Sequence, residues 1–203
     1  MPKFSENEKV IIREKLFSEG EQLFIRYGVR KVTIDDLVKA VGIAKGSFYA
    51  FYANKEHLYV DILRSIQKKM LAETDNIFER NPALSSKELV KKIILWSYEE
   101  AERYPMLLQQ DAETMDYLTR KLPKEVLDEH IHDGMQTPKK FMEYGARFKY
   151  DAETVAKVFR ALTVSCLSLL NQDEVDNKAV IEILVSGAVN EIVRDDNEKS
   201  LQE

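Results

Sequence analysis

Between residues 33 and 54 the chain has room only for two short helices joined by a tight bend, and this constrains the fold more than any other stretch. Thr33-Ile34-Asp35-Asp36 has the form of a capping box, with a hydroxyl at the N-cap and a carboxylate three residues later. Ile34, Leu37, Val38 and Val41 fall on one face of the helix that follows, and Gly42 stands where a left-handed C-terminal residue is wanted. A second helix starts near Ala44 or Lys45 and is expected to reach about Tyr52. Spacing predicts that Ile43, Phe48 and Phe51 face inward, leaving Lys45, Ser47, Tyr49 and Ala50 outward. Neither helix is long enough to persist alone in water, so both must pack against neighbours. Two short helices across Gly42-Ile43-Ala44 have the spacing of a helix-turn-helix.

The flanks supply those neighbours. Ile12, Leu16, Leu23, Phe24 and Tyr27 make one apolar stripe, predicting a first helix from about Glu8 to Tyr27 that ends at Gly28. Asn54 is an N-cap for a fourth helix bearing Leu58, Ile62, Leu63, Ile66 and Met70, expected to reach about Phe78. Ser85-Ser86-Lys87-Glu88 caps a helix that ends by Tyr104, because Pro105 disfavours helical geometry before it. Further helices are expected over roughly Met106–Leu122, from Pro123 to a break or kink at Pro138, over Asp151–Asn171 and over Asp176–Arg194. No stretch alternates as a strand would. The expected fold is all-α, with about nine helices.

Net charge is −5, yet residues 22–60 hold six Lys/Arg against three acids, so that stretch is +3 and the remainder −8. A basic end on an acidic body suits a protein that touches phosphate with one end only. In a helix-turn-helix the second helix enters the major groove with its N-terminal residues nearest the bases and phosphates. Gly46 removes a side chain where the backbone would approach DNA. Lys45 can neutralise a phosphate or reach a base edge, Ser47 can donate or accept in the groove, and Tyr49 carries a hydroxyl on a long arm suited to a phosphate. Thr33 and Lys55, at neighbouring helix starts, can grip phosphates on either side of the groove.

Residues 33–58, TIDDLVKAVGIAKGSFYAFYANKEHL, closely resemble the DNA-binding signature of the TetR (tetracycline-repressor-like) family. Upstream, Leu23-Phe24-Ile25-Arg26-Tyr27-Gly28 resembles the end of that family's first helix. The resemblance covers roughly residues 8–60. It implies DNA contacts from Thr33, Lys45, Gly46, Ser47, Tyr49 and Lys55. Ala44 stands where the family often has Ser as the recognition-helix N-cap, and Ala50 where it often has a polar residue; the Ala50 methyl can still meet a thymine methyl. The implied organisation is a DNA-binding domain over residues 1–60 and a helical effector-binding and dimerisation domain over residues 61–203. The implied function is a transcriptional regulator, a repressor released from double-stranded operator DNA by a small-molecule effector. A relative that has lost DNA binding and works as a coactivator or interaction partner is the alternative.

The last two predicted helices are apolar on more than one face, which independently suggests an intersubunit four-helix bundle and a homodimer. Phe159, Leu162, Cys166, Leu169, Ile181, Leu184, Val185, Ala188 and Ile192 are the expected interface, with Ala161, Val164, Val180, Ile183 and Val193 broadening the stripes. Candidate effector-pocket residues are Trp96, Tyr98, Tyr104, Met106, Tyr117, Phe141, Met142, Phe148 and Phe159. No catalytic residue, cofactor or metal is expected. Phosphate-binding G-x-x-x-x-G-K-[ST], G-x-G-x-x-G and H-E-x-x-H are all absent, and His130 and His132, two apart, do not share a helix face. A lone cysteine, no apolar signal segment and no long apolar run predict a cytoplasmic protein without a membrane partner.

Overall fold

The computed structural model describes residues 4–101, 103–109, 111–127, 136–170 and 177–195, and the regular structure among them is helical apart from one isolated bridge. Besides a helical segment at residues 124–127, the helices are α1 (Glu6–Lys31), α2 (Ile34–Val41), α3 (Lys45–Phe48), α4 (Lys55–Arg80), α5 (Ser86–Ala101), α6 (Pro105–Leu108), α7 (Ala112–Lys121), α8 (Gln136–Glu143), α9 (Ala152–Leu170) and α10 (Lys178–Ile192).

Several boundaries differ from expectation, each for a local reason. α1 begins earlier because Ser5 and Glu8 form a capping box. Gly28 interrupts α1 at φ 75°, ψ 155°, but a further turn runs on to Lys31. The single helix expected from Met106 to Leu122 is two, because the Asp111 carboxylate accepts from the Thr114 N–H at 2.7 Å and starts α7 afresh. Pro138 lies within α8, with helical residues on both sides of it, and the expected helix leading up to it from Pro123 lies partly outside the described residues. Residues 124–127 are helical after Pro123. The histidines at 130 and 132 lie outside the described residues.

The chain forms two compact units. The first takes Met1–Ile66 together with Pro105–His130, and the second takes Gln67–Tyr104 and Ile131–Glu203, so the expected single cut at residue 60 is replaced by an interleaved division. In the first unit, Leu16, Phe24, Leu37, Phe48, Leu58 and Ile62 are fully buried. Burying each such side chain stabilises the unit by about 1.5–3 kcal/mol. A Cβ on Gly20 would stand 3.0 Å from Leu58 Cδ2, so α1 and α4 touch there directly. Segment 105–127 is fastened to this unit by polar contacts of its own: Gln109 donates to the Ile25 carbonyl (2.7 Å), Arg64 to the Val126 carbonyl (3.0 Å), and Arg30 pairs with Glu113.

The second unit packs α5, α8, α9 and α10 around Val90, Ile93, Phe141, Val155, Val185 and Val189. Phe78 stacks on Tyr144 with centroids 3.7 Å apart, and Phe141 meets both Phe78 and Phe159 edge-on. Lys140 and Tyr144 both bond to Asp75 at 2.7 Å, holding α8 against α4. An antiparallel bridge joins Phe148 to Val193, with Lys149 N–H donating to the Ile192 carbonyl and Arg194 N–H to the Arg147 carbonyl.

Candidate nucleic-acid interface

The interface is built from the capping of α2 outward. Thr33 Oγ1 accepts from the Asp36 N–H (3.2 Å), and Asp36 Oδ2 in return accepts from the Thr33 N–H (2.9 Å) and hydroxyl (2.6 Å). These bonds, the side-chain one first, hold the Asp36 carboxyl below its ordinary value. Gly42 closes the helix in the left-handed region (φ 78°, ψ 34°), and the N–H groups of Gly42 and Ile43 converge on the Val38 carbonyl. α3 follows after Ala44, which caps without a side-chain hydrogen bond. The helix proper spans only Lys45–Phe48; hydrogen-bonded turns from Ala50, Phe51 and Tyr52 carry the chain on to the expected end near Tyr52.

Phe48 anchors this short helix with a fully buried ring, and Tyr49 stands edge-on to it, itself 51% exposed. Tyr52 is buried and donates to Asp61 (2.8 Å). Thr33, Ala44, Lys45, Gly46, Tyr49 and Ala50 are all exposed, so one continuous stretch of chain presents them to solvent. Lys45 Nζ lies 2.9 Å from Asp35 Oδ2, and that bond raises the Lys45 pKa. Both partners are largely exposed, so water screens the pair and it adds little to the stability of the fold. A Cβ on Gly46 would meet nothing within 4 Å, and its φ is ordinary. Nothing inside the chain requires glycine there.

Two expected contact residues are placed otherwise. Ser47 is buried, only 6% exposed, and faces the domain beside Phe48 instead of outward. Lys55, at the start of α4, turns its ammonium into the carbonyls of Val29 (2.7 Å), Arg30 (3.2 Å) and Val32 (2.5 Å), which end α1. Burial lowers its pKa. Beside it Glu56 is buried, accepts a short hydrogen bond from the Tyr117 hydroxyl of α7, and stands 4.0 Å from Lys55 Nζ. Burial foremost, then this bond, pushes the Tyr117 pKa up. Lys55 and Glu56 therefore clasp α1, α4 and α7 together. Asp35, Glu56 and Tyr117 carried no local signal, since their partners lie ten or more residues away.

A family model described as bacterial regulatory proteins of the tetR family matches residues 16–62. The helix-turn-helix just described lies inside that match. Those residues carry the TetR family's DNA-binding segment. With the relatives below, the match makes the chain a helix-turn-helix transcriptional regulator. Over 168 residues it is 26% identical to the HTH-type transcriptional regulator YhgD of Bacillus subtilis (strain 168), covering 77% of this chain and 83% of that one. It is 27% identical over 159 residues to the HTH-type transcriptional repressor KstR2 of Rhodococcus jostii (strain RHA1), covering 71% and 77%. Its fold is similar to that of SmeT, the repressor of the Stenotrophomonas maltophilia multidrug efflux pump SmeDEF, with TM-score 0.63, 16% identity and 91% of both chains covered. Among the described residues no helix is long and apolar enough to cross a membrane.

The expected pocket residues are divided between the two units. Met106 and Tyr117 belong to the first unit, Met106 fully buried and Tyr117 bound to Glu56. In the second unit Tyr98, Phe141 and Phe159 are core, Met142 faces solvent, and Trp96, Tyr104 and Phe148 are half-buried. The expected dimer residues divide between core and surface. Phe159, Cys166, Ile181, Val185 and Ile192 are consumed within the chain's own core, Leu162 and Leu169 pack against it, and Ala188 is half-buried. The exposed apolar side chains of α9 and α10 are Val164 (58%), Val180 (44%), Ile183 (71%) and Leu184 (41%). Of these, Leu184 belongs to the expected interface, and Val164, Val180 and Ile183 to the residues expected to broaden its stripes.

Proposed function

We propose that this chain is a repressor that binds operator DNA as a homodimer and is released by a small-molecule effector. The observation that carries the reading is the exposure of Lys45, Gly46 and Tyr49 on a one-turn helix and its C-cap, whose buried side chains are Ser47 and Phe48. Lys45 supplies the cation, Gly46 lets the backbone close on a phosphate, and the Tyr49 hydroxyl reaches a second phosphate. Thr33 flanks them at the start of α2, and the Ala44 and Ala50 methyls offer apolar contact in the groove. Ser47 and Lys55 support this surface from within. The repressor sense is favoured by the name of the KstR2 relative and by the description of SmeT.

A homodimer through α9 and α10 accounts for Val164, Val180, Ile183 and Leu184, which stand exposed among the described residues. Ala161, Ser168 and Gly187, small and exposed, permit close helix approach on the same two helices. Dimerisation sets two recognition helices about 34 Å apart, one turn of duplex. An effector that changes that separation needs a coupling of only roughly 1–3 kcal/mol. Its pocket is best sought at Trp96 and Tyr104, which the core leaves half-buried. Trp96 is the sole tryptophan, so its fluorescence reports ligand entry directly.

The test is selection of duplexes from a random pool followed by titration with Tyr49→Phe and Lys45→Ala. Both substitutions weaken binding to the selected duplex while thermal unfolding is unchanged. Unaltered affinity in both variants would contradict the reading.

A further inference from the structure

Lys45 does not face the solvent alone. Its ammonium is held by Asp35, a residue in the first turn of α2 whose carboxylate is 68% exposed. α2 does not need Asp35 for its start, because the neighbouring Asp36 already completes the capping box with Thr33. An acid placed among Thr33, Lys45 and Tyr49, on the stretch assigned above to DNA, works against phosphate binding in two ways. It removes one unit of positive charge from the surface, and it occupies the ammonium best placed to meet the backbone.

We propose that Asp35 is a specificity-determining residue for DNA: it holds Lys45 back from any duplex that offers its carboxylate no hydrogen-bond donor. This rests on the DNA-binding reading above and deepens it. Binding to arbitrary sequence is almost wholly a matter of phosphate neutralisation and counterion release, so a carboxylate at the contact surface weakens it directly. A major-groove edge that presents an exocyclic amino group, cytosine N4 above all, gives the carboxylate a donor. Asp35 then exchanges the Lys45 ammonium for the base, and Lys45 is freed for a phosphate. The penalty is thus relieved at the right site and retained at wrong ones, which is discrimination by a repulsive element.

The test uses the full-length chain and its Asp35→Asn variant in fluorescence anisotropy. The probes are the duplex recovered by wild-type selection and a duplex of equal length with that sequence scrambled. Removing the charge is expected to tighten binding to the scrambled duplex by roughly threefold per helix-turn-helix and to steepen its salt slope by about 0.9 per helix-turn-helix. Binding to the selected duplex stays level or weakens, so the ratio between the two falls. Lys45→Ala, by contrast, weakens the selected duplex more than the scrambled one, because only there is the ammonium freed for a phosphate. Thermal unfolding of Asp35→Asn should match wild type, because the side chain is exposed and lies outside the capping box. A ratio that is unchanged or larger in Asp35→Asn would overturn the proposal while leaving the DNA-binding reading intact. Wild-type protein that binds neither duplex in a salt-dependent manner would overturn both.

Discussion

Gly46 separates folding from function more cleanly than any other residue. With ordinary φ and empty space around its would-be Cβ, alanine fits the folded chain, and helix propensity favours it. Gly46→Ala should therefore raise stability by roughly 0.5–1 kcal/mol in denaturant unfolding while weakening duplex binding, because the methyl stands where the backbone meets phosphate. Equal or tighter binding would show that no close approach occurs there. Lys55 makes the opposite case. Its ammonium satisfies three carbonyls at the end of α1, so Lys55→Met should lower stability by roughly 1–3 kcal/mol, yet leave the salt slope of DNA binding as it was. A slope made shallower by about 0.9 would mean that the lysine reaches phosphate after all. The types of both residues were legible in the sequence, but the role of Lys55 was not. The carbonyls it holds belong to residues 29–32, and no spacing rule connects them to position 55.

At the scale of elements, local chemistry decided what could be read. Thr33→Ala should cost about 1 kcal/mol of stability through loss of the α2 capping box, measured by thermal or urea unfolding. Gly42→Ala should cost roughly 1–2 kcal/mol through backbone strain alone, since a Cβ there meets nothing within 4 Å. The capping boxes at Thr33 and Ser85 and the αL glycine are written within a few consecutive residues, and α2 and α5 fall where they indicate. α3 is different. Four residues make barely one turn, too few for periodicity to assign a face, so Ser47 was read as outward although it packs beside Phe48. The split between α6 and α7 had a signal, the Asp111-x-x-Thr114 cap, but Met106, Leu107, Leu118 and Leu122 kept an apolar register across it and hid the break. α10 is apolar on two faces, one buried at Ile181, Val185 and Val189 and one exposed at Val180, Ile183 and Leu184. Periodicity there located two stripes without saying which one the chain keeps for itself, and the Phe148–Val193 bridge that fixes the answer joins residues 45 apart.

For the whole molecule, the apolar face of α9 and α10 and the titration of buried tyrosines make separate predictions. Ile183 is 71% exposed, so Ile183→Asp should leave folding intact but convert the protein to monomer in light scattering and sharply weaken operator binding. A variant that remains dimeric would place the interface elsewhere. Burial is the leading cause of raised pKa values at Tyr52, Tyr59, Tyr98 and Tyr117, so the folded chain keeps these protons at pH values where the unfolded chain has lost them. Their contribution to stability is complete below about pH 10, the unfolded tyrosine value, and declines as pH rises above it. Urea midpoints should accordingly fall between pH 10 and 11; midpoints that hold or rise would contradict the burial of these rings. The central claim, that the short helix opened by Lys45 meets a nucleic-acid backbone, is tested most directly by the slope of log affinity against log salt for the selected duplex. Wild type should give a steep negative line, and Lys45→Ala a line shallower by about 0.9 for each bound helix-turn-helix. Superimposable lines for the two proteins would contradict it.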